Sequence, residues 1–367
     1  LEEFLKMKTL ALKHHLTSLC TAVAMSVVAL AGCTTPQPQA QTGSDTPATS
    51  SPQAASDTAA SGQTCAPELA SIDFGIISTE SQKNQKPKFT PFVEAMSKAI
   101  GRPVNAFYAT DYAAVIEAMG ANKVHVAWYG GKAYVTAAER SNADVFAQVV
   151  NADGTKGYYS HLITNTANPI VSKIDLQKGN GDQYVVQNAK ELTFAFNDPE
   201  STSGFLVPGY YVFAKNNVNP NEAFKQLIFA GSHEATAQAI ANKQVDVATN
   251  NSESLTSLKE SDPKAFEQIQ VIWTSPVIPS DPIAYRKDLP DCLKTQIKDF
   301  FYGYKDEAIL KPLGWQAFIP AEDKQWNTIR ELNIAKEILE VQNDKNLSAE
   351  AKQQKLDELN KQLSALK

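Results

Sequence analysis

The chain has 367 residues, of which 43% are hydrophobic and 20% charged, and its formal net charge is −6 at pH 7. That length holds two ordinary domains. The acidic balance, with no basic stripe along the chain, excludes nucleic acid as a partner but leaves room for an anionic small ligand in a local pocket.

Residues 1–32 read as an export signal of lipoprotein type, with the start expected at Met7. Lys8 and Lys13 form a positive n-region, and the apolar run that follows is too short for a comfortable membrane span. It ends in Leu30-Ala31-Gly32-Cys33, similar to a bacterial lipobox in which Cys33 is lipidated; the other reading is plain cleavage near Ala31. Residues 33–65 are then the lipidated cysteine and a tether rich in Thr, Ser, Pro and Gln, which buries too little apolar surface to fold. The expected location is extracytoplasmic or periplasmic, anchored to a bacterial membrane. Cys20 leaves with the signal, so Cys65 and Cys292 remain as one disulfide or two separate thiols. Without histidines at metal spacing they do not suggest zinc, and no metal or cofactor is expected.

The folded part begins with a strand over 71–77 and a helix over 89–100. A strand at 104–107, a helix over 111–120 stopped by Gly120, a strand at 124–128, a helix over 131–140 and a strand at 145–150 follow. The alternation indicates an α/β fold on a largely parallel sheet. A second set has extended segments at 158–164, 191–196, 245–248, 268–273 and 282–286. Its helices are placed from about 202 and over 221–230, 232–242, 293–304 and 323–340. Residues 348–366 read as a surface or partner-facing helix. Ligands on such sheets bind at strand carboxyl ends and between lobes.

Ser201-Thr202-Ser203-Gly204 is the sharpest local signal. Three hydroxyls stand where a helix begins and backbone N–H groups lack internal partners, a place suited to tetrahedral oxyanions as well as to an ordinary cap. No Gly-rich run ends in Gly-Lys-Ser/Thr, so nucleotide use lacks support. Ser232 and His233 open another helix, and His233 can donate to an oxyanion. His125 and His161 stand far from it in the chain. Glu253 and Asp281 lie beyond strand ends, where carboxylates repel an oxyanion but grip an ammonium. Tyr112 and Tyr158 are cleft donors or packing residues, and Tyr129 reads as core.

FGIISTE (74–80), AWYG (127–130), ADGTKGYYS (152–160), DPESTSGFLVPGYYVFAKNNV (198–218), SHEAT (232–236), NKQVDVATNNSE (242–253) and LGWQAF (313–318) together resemble the PhnD family. These are periplasmic phosphonate-binding components of ABC transporters. The resemblance runs from about Ile72 to Leu366. It implies a type II periplasmic-binding-protein fold, with two α/β lobes and a ligand cleft between them, and no catalysis. Residues 66–160 and 283–340 would form lobe 1, 161–282 lobe 2 and 341–367 a C-terminal helix able to pair two molecules.

The resemblance also implies high-affinity capture of phosphonates, foremost 2-aminoethylphosphonate, for hand-over to a permease. Tyr112, Tyr158, Ser201, Thr202, Ser203 and His233 would hold the phosphonate group, and Glu253 and Asp281 the amino group. A receptor for phosphite, methylphosphonate or phosphate is the alternative. A phosphonate-processing enzyme would need a base, nucleophile or metal cluster, and none stands out. The lipobox and tether depart from the family pattern, as do Cys65 and Cys292.

Overall fold

The structure is a computed structural model that describes residues 65–366. The signal, Cys20, Cys33 and the tether lie outside the described residues. Among those described, no helix is long and apolar enough to cross a membrane.

The first sheet has six strands in the order β13-β4-β12-β3-β1-β2. They are β1 (Ile72–Ile76), β2 (Val104–Tyr108), β3 (Val126–Trp128), β4 (Ala143–Asn151), β12 (Pro282–Arg286) and β13 (Trp315–Pro320). The second has the order β10-β6-β9-β7-β8: β6 (Ser160–Asn165), β7 (Thr193–Phe196), β8 (Gln226–Phe229), β9 (Val247–Asn251) and β10 (Ile269–Thr274). Between them β5 (Gly157–Tyr158) and β11 (Ile278–Pro279) pair antiparallel as a two-stranded ribbon where the chain passes from one sheet to the other and back.

Each sheet is mixed rather than largely parallel. β1 runs parallel to β2 and β3, and β7 runs parallel to β8 and β9. The strands next to the crossings, β4, β12, β6 and β10, pair antiparallel. The reason is topological: a strand that returns from the other lobe enters from the opposite end.

The longer helices are α1 (Gln82–Ile100), α2 (Tyr112–Gly120), α3 (Gly131–Arg140), α4 (His233–Ala241), α5 (Ser252–Ser261), α6 (Asp291–Gly303), α7 (Asn327–Asn343) and α8 (Ala349–Ala365). α1 ends on Gly101, whose φ of 74° lets its N–H return to the Ser97 carbonyl. Three expectations need correction. Residues 221–230 are not one helix: a short turn ends at Ala223, and Gln226–Phe229 is strand β8. The apolar run Leu227-Ile228-Phe229 fits either period, and parallel pairing with β7 decides it. α5 and β13 form where the sequence pattern suggested no regular element. The segment from 202 is π-helical over Thr202–Leu206 and Gly209–Phe213.

Phe74, Phe92, Phe301, Trp315 and Phe318 form an aromatic core on the first sheet, and Phe194, Phe196, Phe213 and Phe224 one on the second. Trp326, fully buried at the entry to α7, stacks edge-on against Tyr134 of α3. α7 then continues over the second lobe, where Asn343 Nδ2 donates to Asn217 Oδ1 at 2.9 Å. It therefore spans both lobes instead of belonging to the first alone. α8 folds back along it, with Asn327 Nδ2 donating to the Leu366 carbonyl at 3.4 Å.

Cys65 and Cys292 are joined in a disulfide with a Cα–Cα distance of 5.9 Å, across 227 residues of sequence. The bridge ties the start of the described chain to the first turn of α6. Replacing both cysteines by serine should cost about 2–4 kcal/mol. That is a fall of several degrees in Tm by calorimetry, with no change in far-UV circular dichroism. An unchanged Tm would mean the bridge adds no stability.

Candidate functional site

The turn at Thr202 starts from an unusual hydrogen-bond arrangement. Ser201 caps it, its Oγ accepting from Gly204 N at 2.9 Å and from Asn197 Nδ2 at 3.2 Å. The Leu206 N–H returns to the Ser201 carbonyl and the Val207 N–H to that of Thr202, five residues back in each case. Pro208 has no N–H to return to either the Gly204 or the Ser203 carbonyl. Those two carbonyls turn outward instead. Ser160 Oγ donates to Ser203 O at 2.6 Å, and Thr249 Oγ1 donates to Gly204 O at 2.8 Å. Position 204 must be glycine, since a Cβ there would sit 2.3 Å from Asn197 Cβ. The widened turn is pinned to β6 and β9 and presents its hydroxyls to the space between the lobes.

That space is a cavity of about 670 Å³. Tyr112, Tyr158, Ser201, Thr202, Ser203, His233, Glu253 and Asp281, from both lobes and the ribbon between them, all line it. Tyr129 is fully buried in the core and does not. His125 and His161 lie apart, paired with Asp73 and Thr274. Among the described residues no group of three His, Cys, Asp or Glu is placed to hold a metal.

One end of the cavity consists of neutral donors. Burial pushes both the Tyr112 and Tyr158 phenols above their usual range, so they stay protonated. Both tyrosines line the cavity together with Ser201, Thr202 and Ser203. Burial lowers His233 to about 3, which keeps the ring neutral. Its tautomer follows from its neighbours. Asn251 Oδ1 accepts from Ser254 N at 2.6 Å, which turns Nδ2 toward Ser203 Oγ and His233 Nε2, each at 3.1 Å. Nε2 is thus an acceptor and the proton resides on Nδ1, which is buried without a protein partner.

The other end holds two carboxylates. Asp281 Oδ2 accepts from Trp128 Nε1 at 2.9 Å, while Oδ1 is buried without a partner. Glu253 stands in the first turn of α5, whose cap is Asn251. Desolvation raises Asp281 to about 7 against the Trp128 hydrogen bond. Desolvation first, then the Asp281 charge, holds Glu253 well above the ordinary carboxylate range. The cavity therefore pairs neutral donors with two desolvated carboxylates; Lys88, Lys156 and Lys311 also line it, but no lysine or arginine lowers either carboxylate.

Sequence reasoning missed Trp128, Asn197 and Asn251. Each acts by orienting another side chain, and such a role leaves no local motif.

The family profile described as ABC transporter, phosphonate, periplasmic substrate-binding protein matches residues 74–326. The phosphonates-binding periplasmic protein of Escherichia coli K12 is 48% identical over 299 residues, covering 80% of this chain and 85% of that protein. The chain belongs to the periplasmic phosphonate-binding family. A solved family structure, the binding component of an ABC phosphonate transporter from Pseudomonas aeruginosa, is 45% identical with a TM-score of 0.75. That match covers 81% of this chain and 96% of that one. The phosphate-import protein PhnD of Mycolicibacterium smegmatis is 28% identical over 63% of this chain and 70% of its own. The fold is thus that of a type II periplasmic binding protein. The protein is a binding component for a phosphorus oxyanion in ABC import, and not an enzyme.

The raised Asp281 value has a consequence for stability. The folded state holds a proton that the unfolded carboxylate releases near pH 4. The resulting stabilisation is complete below that pH and is lost as pH rises through about 7. Asp281→Asn should therefore gain stability relative to the parent as pH increases. The Tm difference, variant minus parent, should grow more positive from pH 5 to pH 8 in unliganded protein. A difference independent of pH would contradict the raised carboxyl.

Proposed function

We propose that the protein captures aminophosphonates, foremost 2-aminoethylphosphonate, for a membrane permease. The observation that carries this reading is the pair Glu253 and Asp281, both desolvated, with no lysine or arginine among the groups that shift either one. An ammonium group would supply positive charge beside the pair and donate to Asp281 Oδ1, which accepts no hydrogen bond from the protein. Phosphonate oxygens take hydrogen bonds from the Tyr112 and Tyr158 hydroxyls and the hydroxyls of Ser201, Thr202 and Ser203, with His233 completing the set. Neutral donors suffice because the ligand carries its own countercharge.

Thr202 also links the lobes, its Oγ1 accepting from Lys132 N at 2.9 Å. In this reading the lobes close about the β5/β11 ribbon, and closure strengthens each contact by excluding water. The C-terminal α7/α8 hairpin supplies a surface for pairing two molecules. Capture of phosphate, phosphite or methylphosphonate is the second reading, favoured by the phosphate-import name of the mycobacterial relative. It leaves the carboxylate pair without a role.

Titration calorimetry with 2-aminoethylphosphonate, methylphosphonate, phosphite and phosphate tests the choice. The aminophosphonate should bind tightest, and Glu253→Gln should weaken it by about ten- to a hundredfold while changing methylphosphonate little, as for a buried charge-assisted contact. Equal losses for both ligands would remove the ammonium role. We also place the mature protein on a membrane through a lipid on Cys33. Cys33→Ala should then shift it from the membrane pellet to the soluble extracytoplasmic fraction. An unshifted distribution would refute the anchor.

A further inference from the structure

Glu234 follows the cleft histidine His233 directly but does not line the ligand cavity. It lies in the first turn of α4, whose own N-terminus is already capped by Ser232 Oγ, 3.0 Å from Ala235 N. The carboxylate is therefore free to turn away from its own helix, and it crosses to the other lobe. Its Oε2 accepts from Ser81 N at 2.6 Å, and its Oε1 accepts from Asn84 Nδ2 at 2.9 Å. Its backbone N–H donates to the Thr79 carbonyl at 3.2 Å.

Ser81 is the N-cap position of α1. That helix has no side-chain cap of its own and no acidic residue in its first turn. A helix start with free N–H groups and the positive end of the macrodipole is thus left open within lobe 1, and lobe 2 supplies the anion that satisfies it. A second contact lies on the same α1 segment: Ser257 of α5 bonds Glu80 Oε1 at 2.7 Å and accepts from Lys88 Nζ at 2.9 Å.

We infer that Glu234 is a closure latch, a positioning residue that sets how long the cleft stays shut without touching the ligand. It is built into the same helical turn as His233, so a ligand that engages the ring holds α4 where the carboxylate reaches α1. When the lobes part, Ser81 N–H and Glu234 return to water; when they meet, a charge-assisted cap forms across the gap. The latch acts on dissociation, because the ligand enters before the bonds close. The inference rests on the ligand reading above only for its kinetic test.

The experiment is stopped-flow binding of 2-aminoethylphosphonate to the full chain, followed through tryptophan fluorescence, for the parent, Glu234→Ala, Glu234→Gln and Asn84→Ala. Glu234→Ala should raise koff by about tenfold with kon nearly unchanged, as expected for losing a charged hydrogen bond. Glu234→Gln, which keeps one acceptor for Ser81 N–H, should fall between. Asn84→Ala should raise koff less, and should add little in a Glu234→Ala background. Unliganded Tm should fall only slightly, because the loss of the latch parts the lobes without unfolding them. A purely structural cap would lower the Tm of free and liganded protein alike and leave koff unmoved, which would overturn the latch. If the parent binds none of the four oxyanions, the ligand reading fails. The latch is then decided by X-ray scattering of the unliganded proteins: a more expanded Glu234→Ala supports it and equal profiles overturn it.

Discussion

The turn at Thr202–Leu206 is held by bonds that a helix does not make for itself, and much of the site depends on that. Pro208 strips two carbonyls of their usual partners, and hydroxyls from β6 and β9 take them up. Gly204 lets the turn lie against Asn197 with no room for a side chain. The result is a helix start whose position is set by the sheet beneath it, with its hydroxyls aimed at the space between two lobes. π-type turns recur at functional sites because they re-aim side chains at the cost of regular bonding. Here the cost is met by Ser160, Thr249 and Asn197.

Around that turn, electrostatics divide the cavity. The donor end carries no formal charge: two tyrosines and a histidine are kept neutral by burial, and serine and threonine hydroxyls complete it. At the carboxylates, desolvation raises both groups, and the Asp281 charge raises Glu253 further. In the proposed reading a zwitterion would span them, its ammonium facing the carboxylates and its oxyanion the donors. The same logic explains how an acidic protein of net charge −6 holds an anion: recognition is local, and dipoles and hydroxyls do not require a positive surface.

Lobe placement turns this chemistry into capture. The ribbon of β5 and β11 carries Tyr158 and lies beside Asp281, so the crossing segments themselves bear cavity residues. α7 spans both lobes, and contacts such as Lys132 N to Thr202 Oγ1 and Tyr112 N to Asp198 Oδ2 join their facing loops. Beneath these contacts a continuous buried cluster also joins the lobes, from Tyr112, Val115 and Tyr134 on one side to Phe194, Phe196 and Val247 on the other.

The sequence by itself determined the elements that rest on local periodicity and local caps. β1, α2 with its Asp111 cap, α3 and β12 can be read from residue pattern because their signals lie within a few neighbours. The hydroxyl triplet and His233 are legible for the same reason: a cap is a local event. Tertiary structure alone decided that Gln226–Phe229 is a strand, since only pairing with β7 separates it from a helix of the same composition. It alone decided that Cys65 meets Cys292 across 227 residues, and that Glu253 and Asp281 share one desolvated space. It alone made Trp128, Asn251 and Glu234 important, because each acts on a group brought near by folding rather than by sequence. The physical reason is range: backbone preference and capping act over one turn, whereas desolvation and cross-lobe hydrogen bonds exist only after distant segments meet.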